Sequence, residues 1–286
     1  MAIRPLTTGF LSTLNATRNL GASQARLGES LNKLASGLQI NKAADNAAGL
    51  AIAEQLRADI ESAGQAQRNI SDGTSLTRVA EGGLNEISDL LSRGRELSVQ
   101  AANGTLNDQQ RATINTEINA IQSEIDRITN VTEFNGQQLL SGDLAPGAPT
   151  QLSIQAGIQN TPNDRVSLNV IEATNTQTLG VDTVNISTQA GAQDAIGRFD
   201  TAIAQVADRR ASIGALQNRL ESAANNLAVT RENLTSAENN IRGLDYAKET
   251  GEFARNQIMS QAAAQTLRAG LGAESGLIGA LLNIRG

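Results

Sequence analysis

The amino-acid sequence predicts a mainly α protein, an elongated antiparallel helical bundle or coiled coil with a small β-hairpin region in the middle of the chain. Apolar residues recur every three or four positions over long stretches on both sides of that middle. Only 2% of the 286 residues are aromatic, whereas a thick globular core takes much of its buried area from aromatic rings. Between about residues 141 and 190 the apolar residues instead alternate with a period of two, as they do in strands.

The first predicted helix carries an apolar stripe and ends near Gly37. Its leucines are spaced by sevens, fours and threes, as on one face of a helix: Leu20, Leu27, Leu31 and Leu34. Glycine adopts the left-handed conformation at a helix end at little cost, so Gly37 marks the C-terminus of this helix. A short polar connector, Ser36 to Asp45, follows, in which Asn41 or Asp45 is expected to cap the next helix.

A second long helix is predicted between Ala43 and Ala102, and a third after a turn that begins at Asn103. The turn sequence NGTLNDQQ supplies an Asn or Asp as the N-cap of the third helix. That helix carries isoleucines at alternating steps of four and three, which is a heptad pattern: Ile114, Ile118, Ile121, Ile125 and Ile128. The segment EFNGQQLLSGD from Glu133 ends this helical region.

The middle of the chain, about residues 141–190, is predicted to form a β-hairpin and loops. Proline and glycine cluster in DLAPGAPTQ, and the alternating pair Leu152 and Ile154 precedes a second alternating run, VSLNV from Val166. The intervening IQNTPNDR has the composition of a hairpin connection.

The helical rhythm returns after the middle region and continues to Ile241. The C-terminal segment carries a further apolar stripe: Ile258, Leu267, Leu271 and Leu281. A monomer with this many stripes cannot cover all of them internally. We therefore expect the surplus apolar surface to join identical copies, and a contact that does not close into a ring builds a helical filament.

Charge and hydropathy exclude several classes of partner. The net charge is -6 and the pI about 4.9, which disfavours electrostatic binding to nucleic acid or to an anionic membrane. No run approaches the roughly 18 apolar residues of a membrane span. The N-terminal MAIRPLTTGF has neither an uninterrupted apolar core nor a small-residue cleavage site, so we expect no cleaved signal peptide.

Catalysis is not predicted. The chain has no His and no Cys, so it lacks the commonest general base, the thiol nucleophile and the usual ligands of zinc. Carboxylate pairs such as Glu124 and Asp126 lie on different faces of a helix, and no positioning motif accompanies them. The sequence therefore predicts no enzyme, no metal site and no cofactor.

Several long motifs carry a resemblance to a known family. They are LASGLQINKAADNAAGLAIAEQLRA from Leu34, RNISDGTSLTRVAEGGLNEI from Arg68, EIDRITNVTEFNGQQLLSG from Glu124 and IGALQNRLESAANNLAVTRENLTSAENNIRGLDYAKETGEFARNQI from Ile213. In this order they resemble bacterial flagellin, the subunit of the flagellar filament. The passage DRVSLNVIEATNTQTLGVD runs straight through the position of an outer insertion, so the chain resembles a short form without the outer variable domains.

The resemblance implies a structural subunit that self-assembles into the extracellular filament used for swimming. It implies that residues 1–43, with the connector acting as a spoke, and residues 247–286 pair as a terminal coiled coil in the filament core. Residues 44–246 would form a helical bundle that includes the β region. The packing residues of the coiled coil would be the leucines and isoleucine of the two terminal stripes.

The resemblance also implies partners. These are many copies of the same chain, a flagellar export chaperone and secretion apparatus, and the hook–filament junction and cap proteins, with export through the flagellar channel without a cleaved signal. Arg93, Leu97 and Glu117 match residues implicated in recognition by the animal toll-like flagellin receptor. The alternative is that these three residues build the bundle and its axial contact between subunits, and Gly94 departs from the larger residue usual there.

Two other functions fit the same pattern of helices. One is the flagellin-like hook–filament junction protein, a minor structural adaptor that copy number in the flagellum would distinguish. The other is an unrelated secreted coiled-coil adhesin, which would not polymerise into tubes.

Overall fold

The computed structural model describes the backbone of residues 4–149 and 151–283, and the side chains of residues 11, 13–149, 151–272 and 275. Within these ranges the chain is mainly α with a small β region, which confirms the predicted fold class. The helices are α1 (Arg4–Ser36), α2 (Ala47–Ala101), α3 (Asp108–Val131), α4 (Thr176–Leu179), α5 (Gln189–Arg242) and α6 (Tyr246–Asn283). The strands are β1 (Glu133–Phe134), β2 (Gln137–Gln138), β3 (Ser153–Gln155) and β4 (Arg165–Ser167).

Contacts between Cα atoms divide the chain into two compact units. The terminal unit contains the residues up to 58 together with those from 234 onward, and the central unit contains residues 59–233. Helices α2 and α5 each contribute to both units.

The core of the central unit is aliphatic, as the composition predicts. The heptad isoleucines of α3 from Ile118 to Ile128 are buried, and Ile114 is half-buried. They lie in one hydrophobic cluster with residues of α2 and α5: Leu84, Ile87, Leu91, Phe199, Val206, Ile213, Leu216 and Leu220. Phe199 is the largest fully buried side chain among the described residues, so one aromatic ring fills a core that is otherwise built from Leu, Ile, Val and Ala.

Two predicted helix ends are confirmed. Gly37 follows α1 with φ +71°, and its amide donates to the carbonyl of Lys33 at 2.8 Å. Asn107 precedes α3, and its side chain accepts from the amide of Gln110 at 2.9 Å, while the Gln110 side chain accepts from the amide of Asn107 at 3.0 Å.

The start of α2 differs from the prediction. Asn46 caps it, with its side-chain oxygen accepting from the amide of Gly49 at 2.9 Å. Asn41 and Asp45 do not serve as the cap, because α2 begins only at Ala47. Instead the Asp45 carboxylate accepts from the amides of Asn41 and Lys42, at 3.0 and 2.9 Å, and closes a turn in the connector.

The β region contains two small antiparallel pairs. The predicted hairpin is β3 with β4, in which Ile154 pairs with Val166, and a 3-10 turn at Pro162–Asp164 connects the strands. A second hairpin, β1 with β2, was not predicted and begins directly after α3. Its turn residues Asn135 and Gly136 both have positive φ, 52° and 78°, which is the geometry of a type I′ turn.

Candidate assembly interface

Helices α1 and α6 pack against each other within the terminal unit. The buried and half-buried residues of α1 include a series at alternating steps of three and four: Thr13, Ala16, Leu20, Ser23, Leu27, Ser30 and Leu34. The matching series on α6 is Glu249, Phe253, Asn256, Ser260, Ala263, Leu267 and Gly270. We call these two series the terminal seam. The close approach is visible at its far end, where a Cβ atom at Gly270 would lie 3.1 Å from Cγ2 of Thr13.

The terminal seam is unusually polar for a helix pair. Ser23, Ser30 and Glu249 are all buried in it, and the hydroxyl of Ser23 donates to the carbonyl of Asn256 at 3.2 Å. A groove of about 420 Å³ opens beside it and is lined mainly by charged and polar side chains, among them Arg26. The pair is therefore held by fewer apolar contacts than a coiled coil of the same length with leucines throughout.

Apolar side chains lie instead on the outside of the pair. Apart from Tyr246 at the start of α6, the large exposed hydrophobic residues among the described side chains of α1 and α6 are Leu11, Leu14, Leu31, Ile258, Met259 and Leu271. We call this set the outer apolar face. Its most exposed member is Ile258, at 66%. Within the described side chains the terminal unit thus has buried polar residues between the leucines of its seam, and several large apolar residues exposed to solvent.

The residues predicted to pack in the terminal coiled coil divide between these two surfaces. Leu20, Leu27, Leu34 and Leu267 are half-buried in the terminal seam. The others, Leu31 at 49%, Leu271 at 53% and Ile258, lie on the outer apolar face, so their packing would need another chain. A step of four residues advances a helix about 40° beyond a full turn, which moves Leu31 away from Leu27. The side chain of Leu281 lies outside the described residues.

Arg93 and Glu117 form an exposed ion pair between α2 and α3 in the central unit. The Arg93 Nε donates to Glu117 Oε1 at 3.0 Å, and Nη2 lies 2.9 Å from the same oxygen. Arg93 also contacts Glu96 at 3.2 Å. The hydrogen bond to Glu117 raises the pKa of the Arg93 guanidinium. The pair presents one fixed positive and one fixed negative group on the surface.

Leu97, the third member of the predicted contact set, is not on that surface. Its side chain is 2% exposed and belongs to the core of the central unit. It follows Arg93 by about one helical turn, and its side chain packs in the core rather than facing a partner.

Comparison with known proteins bears on this arrangement of terminal and central helices. Residues 10–145 match the model of the bacterial flagellin N-terminal helical region, and residues 196–269 match that of the C-terminal helical region. The chain is 41% identical to flagellin from Bacillus subtilis, with 88% of this chain and 91% of that protein covered. It is 39% identical to flagellin from Halalkalibacterium halodurans, covering 88% and 90% of the two chains.

The chain belongs to the bacterial flagellin family.

Other flagellin relatives carry names that describe a filament. The flagellar filament 30.7 kDa core protein of Treponema maltophilum is 36% identical, with 90% of this chain and 93% of that protein covered.

Among solved structures, one described as a flagellar hook-associated protein from Vibrio parahaemolyticus superposes with a TM-score of 0.57 at 17% identity, over 70% of this chain and all of that one. That likeness concerns the fold alone. Flagellins are structural proteins, and matches that cover 88–90% of this chain favour a filament subunit over the junction protein and the adhesin.

Membrane spans and clusters of metal ligands are both absent from the residues that the structure describes. None of the helices combines the length and the apolar character needed to cross a membrane. In the same residues, no three Asp or Glu side chains come together in a group that could hold a metal ion.

Proposed function

We propose that this flagellin is a structural subunit that self-assembles into the helical flagellar filament through the outer apolar face of α1 and α6. The observation that carries the proposal is that α1 and α6 bury polar residues in their seam while large apolar residues of the same helices stay exposed. Buried positions such as Ser30 and Glu249 are polar, while Leu31 and Ile258 are exposed.

Burial of that face supplies the driving force. Completely burying a Leu, Ile or Met side chain stabilises an association by about 1.5–3 kcal/mol. Burying large apolar side chains that are exposed in the single subunit removes apolar surface from water, which favours association. Because the face lies on both α1 and α6, each copy offers apolar surface to more than one neighbour, and unlike contacts that do not close generate a helical filament.

The layers of the filament follow from the same face. We assign residues 1–43 and 247–286 to the filament core and residues 44–246 to a surrounding bundle that includes the β region of about 141–190. The connector Ser36–Asp45 is the spoke between them. Apolar surface is best protected from water in the centre of a filament, which supports placing α1 and α6 there.

The Arg93–Glu117 pair is a second contact in this proposal. Its two charges lie on the surface of α2 and α3 and can meet complementary charges on the next subunit along the filament axis. The same pair is the surface that a toll-like flagellin receptor would contact. Both roles use the accessible charges and neither needs Leu97 to be exposed.

Location and partners follow from the family. We infer that the subunit works outside the cell, in the flagellum, and leaves through the flagellar export channel. An export chaperone, the secretion apparatus, the hook–filament junction and the filament cap are the partners that such a route requires. We infer no catalytic role and no cofactor.

The test is polymerisation of a truncated subunit. Deleting residues 251–286 removes most of α6 and its share of the outer apolar face, but leaves the central unit complete. We expect a soluble, helical, cooperatively unfolding protein that forms no filaments in electron micrographs, while the full chain forms tubes. Filaments from the truncated protein would contradict the proposal. If the full chain forms no tubes, the adhesin alternative would gain support, and a low copy number in isolated flagella would favour the junction protein.

A further inference from the structure

The two connectors of the terminal unit run side by side. One joins α1 to α2 over residues 37–46, and the other joins α5 to α6 over residues 243–245. Leu38 of the first and Gly243 of the second form an antiparallel β-bridge. Two segments that are about two hundred residues apart in the sequence are thus paired through their backbones.

Two hydrogen bonds flank this bridge. The amide of Gln39 donates to the carbonyl of Arg242 at 2.8 Å, and the amide of Leu244 donates to the carbonyl of Gly37 at 3.2 Å. Short backbone pairs of this size are marginally stable in water on their own. Another interaction is needed to hold the connectors together.

The side chain of Arg242 supplies it. Arg242 is the last residue of α5 and is 7% exposed. Its Nε donates to the carbonyl of Ile40 in the first connector at 3.2 Å, and its Nη1 donates to Oε1 of Glu54 on α2 at 2.8 Å. One guanidinium therefore bonds the end of α5, the first connector and α2. Its planar, fixed donors suit it to such a bridge, whereas the single ammonium of lysine is a point charge.

Two glycines of the connectors lie where there is little room for a larger side chain. A Cβ atom at Gly243 would lie 2.3 Å from the backbone oxygen of Asn239, so only glycine fits there. At Gly37, which has φ +71°, a Cβ atom would lie 2.7 Å from the hydroxyl of Tyr246 at the start of α6. The connectors are thus closely fitted around Arg242.

We propose that Arg242 is a latch that fixes the direction in which α1 and α6 leave their connectors, and so is a positioning residue for assembly. Every copy in a helical filament must present its outer apolar face in the same orientation. The C-terminal end of α1 and the N-terminal end of α6 both lie next to this bridge. The buried side chain of Arg242 therefore sets the orientation of both helices. The inference rests on the proposed function, since it assigns a role in filament assembly.

The test compares the full-length variants Arg242→Gln and Arg242→Lys with Arg219→Gln, which alters an exposed arginine on the same helix. In the soluble subunit, we expect Arg242→Gln to speed hydrogen exchange at the amides of Gln39 and Leu244 about tenfold or more, because charge-assisted bonds that keep the bridge closed are lost. Arg242→Lys should recover only part of the protection. Arg219→Gln should match the parent.

The second measurement is assembly, by electron microscopy and by the lowest protein concentration that gives filaments. We expect Arg242→Gln to need a higher concentration and to give filaments of irregular curvature, with the helical content of the subunit preserved. Unchanged exchange at Gln39 and Leu244 would overturn the latch, and so would faster exchange with filaments like those of the parent. If the parent itself forms no filaments, the proposed function and the assembly role fail together, while the exchange measurement still decides whether Arg242 holds the connectors.

Discussion

The ring of Phe199 on α5 lies directly against the backbone of Gly94 on α2, and a Cβ atom at position 94 would lie 2.6 Å from both Cε1 and Cζ of that ring. Phe199 is fully buried, so the ring cannot move into solvent without leaving the core. This contact gives a physical reason for Gly94, where a larger residue is expected by family resemblance. In this chain the volume lost at position 94 is filled by Phe199 from the facing helix.

We therefore expect Gly94→Ala to destabilise the central unit. Overpacking a fitted core costs about 1–3 kcal/mol, which exceeds the intrinsic helical preference for alanine. The measurement is the free energy of unfolding by denaturant. The matched control is Gly82→Ala on the same helix, where a Cβ atom would meet nothing within 4 Å. That variant should be about 0.5–1 kcal/mol more stable than the parent. If both variants change the free energy of unfolding in the same direction, the ring of Phe199 does not lie as close to Gly94 as described.

The stability of the connector between α1 and α2 should depend on pH through the Asp45 carboxyl. Hydrogen bonds from the amides of Lys42 and Asn41 hold the pKa of the Asp45 carboxyl below its ordinary value of 3.8. A carboxyl whose pKa is lower in the folded state contributes stability that is present above the unfolded pKa and is lost as the pH falls through the folded pKa. We expect NMR titration of the Asp45 carboxyl to give a midpoint below the ordinary value, and Asp45→Asn to remove the acid dependence of exchange at Asn41 and Lys42. A midpoint at or above the ordinary value would contradict the hydrogen bonding.

Arg209 on α5 should be dispensable for stability. It is 6% exposed, its Nη2 lies 3.6 Å from Oε2 of Glu172, and within the described residues its Nε and Nη1 have no hydrogen-bond partner. Burial lowers the pKa of the guanidinium, and Glu172 offsets part of this effect. Glu172 is itself exposed, so removing the arginine leaves no charge buried.

We expect Arg209→Met to change the free energy of unfolding by less than about 1 kcal/mol or to increase it, because an apolar side chain of similar size avoids the cost of burying a charge. Arg209→Ala should be less stable than Arg209→Met, since it leaves a cavity. A loss of more than about 2 kcal/mol in the methionine variant would mean that Arg209 has acceptors beyond Glu172.

Arg93 and Glu117 should matter more to assembly than to folding. Exposed ion pairs contribute little to the stability of a monomer because water screens them. Arg93→Gln and Glu117→Gln should therefore unfold at the same denaturant concentration as the parent but need more protein to form filaments. Arg127→Gln, in an exposed pair with Glu124 on α3 outside the proposed contact, is the control for loss of a surface charge. Equal assembly of all these variants would remove the pair from the proposed interface.

The apolar periodicity of the sequence predicts most of the helices. It does not predict which surface covers each apolar face. The heptad isoleucines of α3 from Ile118 to Ile128 are buried, because a heptad pattern on a helix surrounded by others has only one interior to face. On α1 the same type of pattern is covered only in part: Leu27 is half-buried in the terminal seam, whereas Leu31, about one turn later, is exposed. A period shows that a residue belongs to an apolar stripe, but it does not show whether the covering surface belongs to the same chain.

Short local patterns in the sequence did not lead to a prediction of the β1–β2 hairpin or of the Asn46 cap. The dipeptide Asn135-Gly136 predicts a type I′ hairpin, but strands of two residues carry no alternation that would support it. The cap at Asn46 was missed because three candidate side chains lie within six residues, and spacing alone does not tell a helix cap from a turn in the connector. The latch at Arg242 has no sequence signal, since its partners Ile40 and Glu54 are distant in the chain.

Whether the outer apolar face drives assembly is tested most directly by comparing two variants. Polymerisation of Ile258→Glu is measured against that of Gln261→Glu. Both substitutions add one negative charge to exposed positions on α6, but only the first removes an apolar side chain from that face. We expect Ile258→Glu to be as folded as the parent by circular dichroism but to form no filaments in electron micrographs, while Gln261→Glu forms them. Filaments of Ile258→Glu at the protein concentration that suffices for the parent would contradict this expectation.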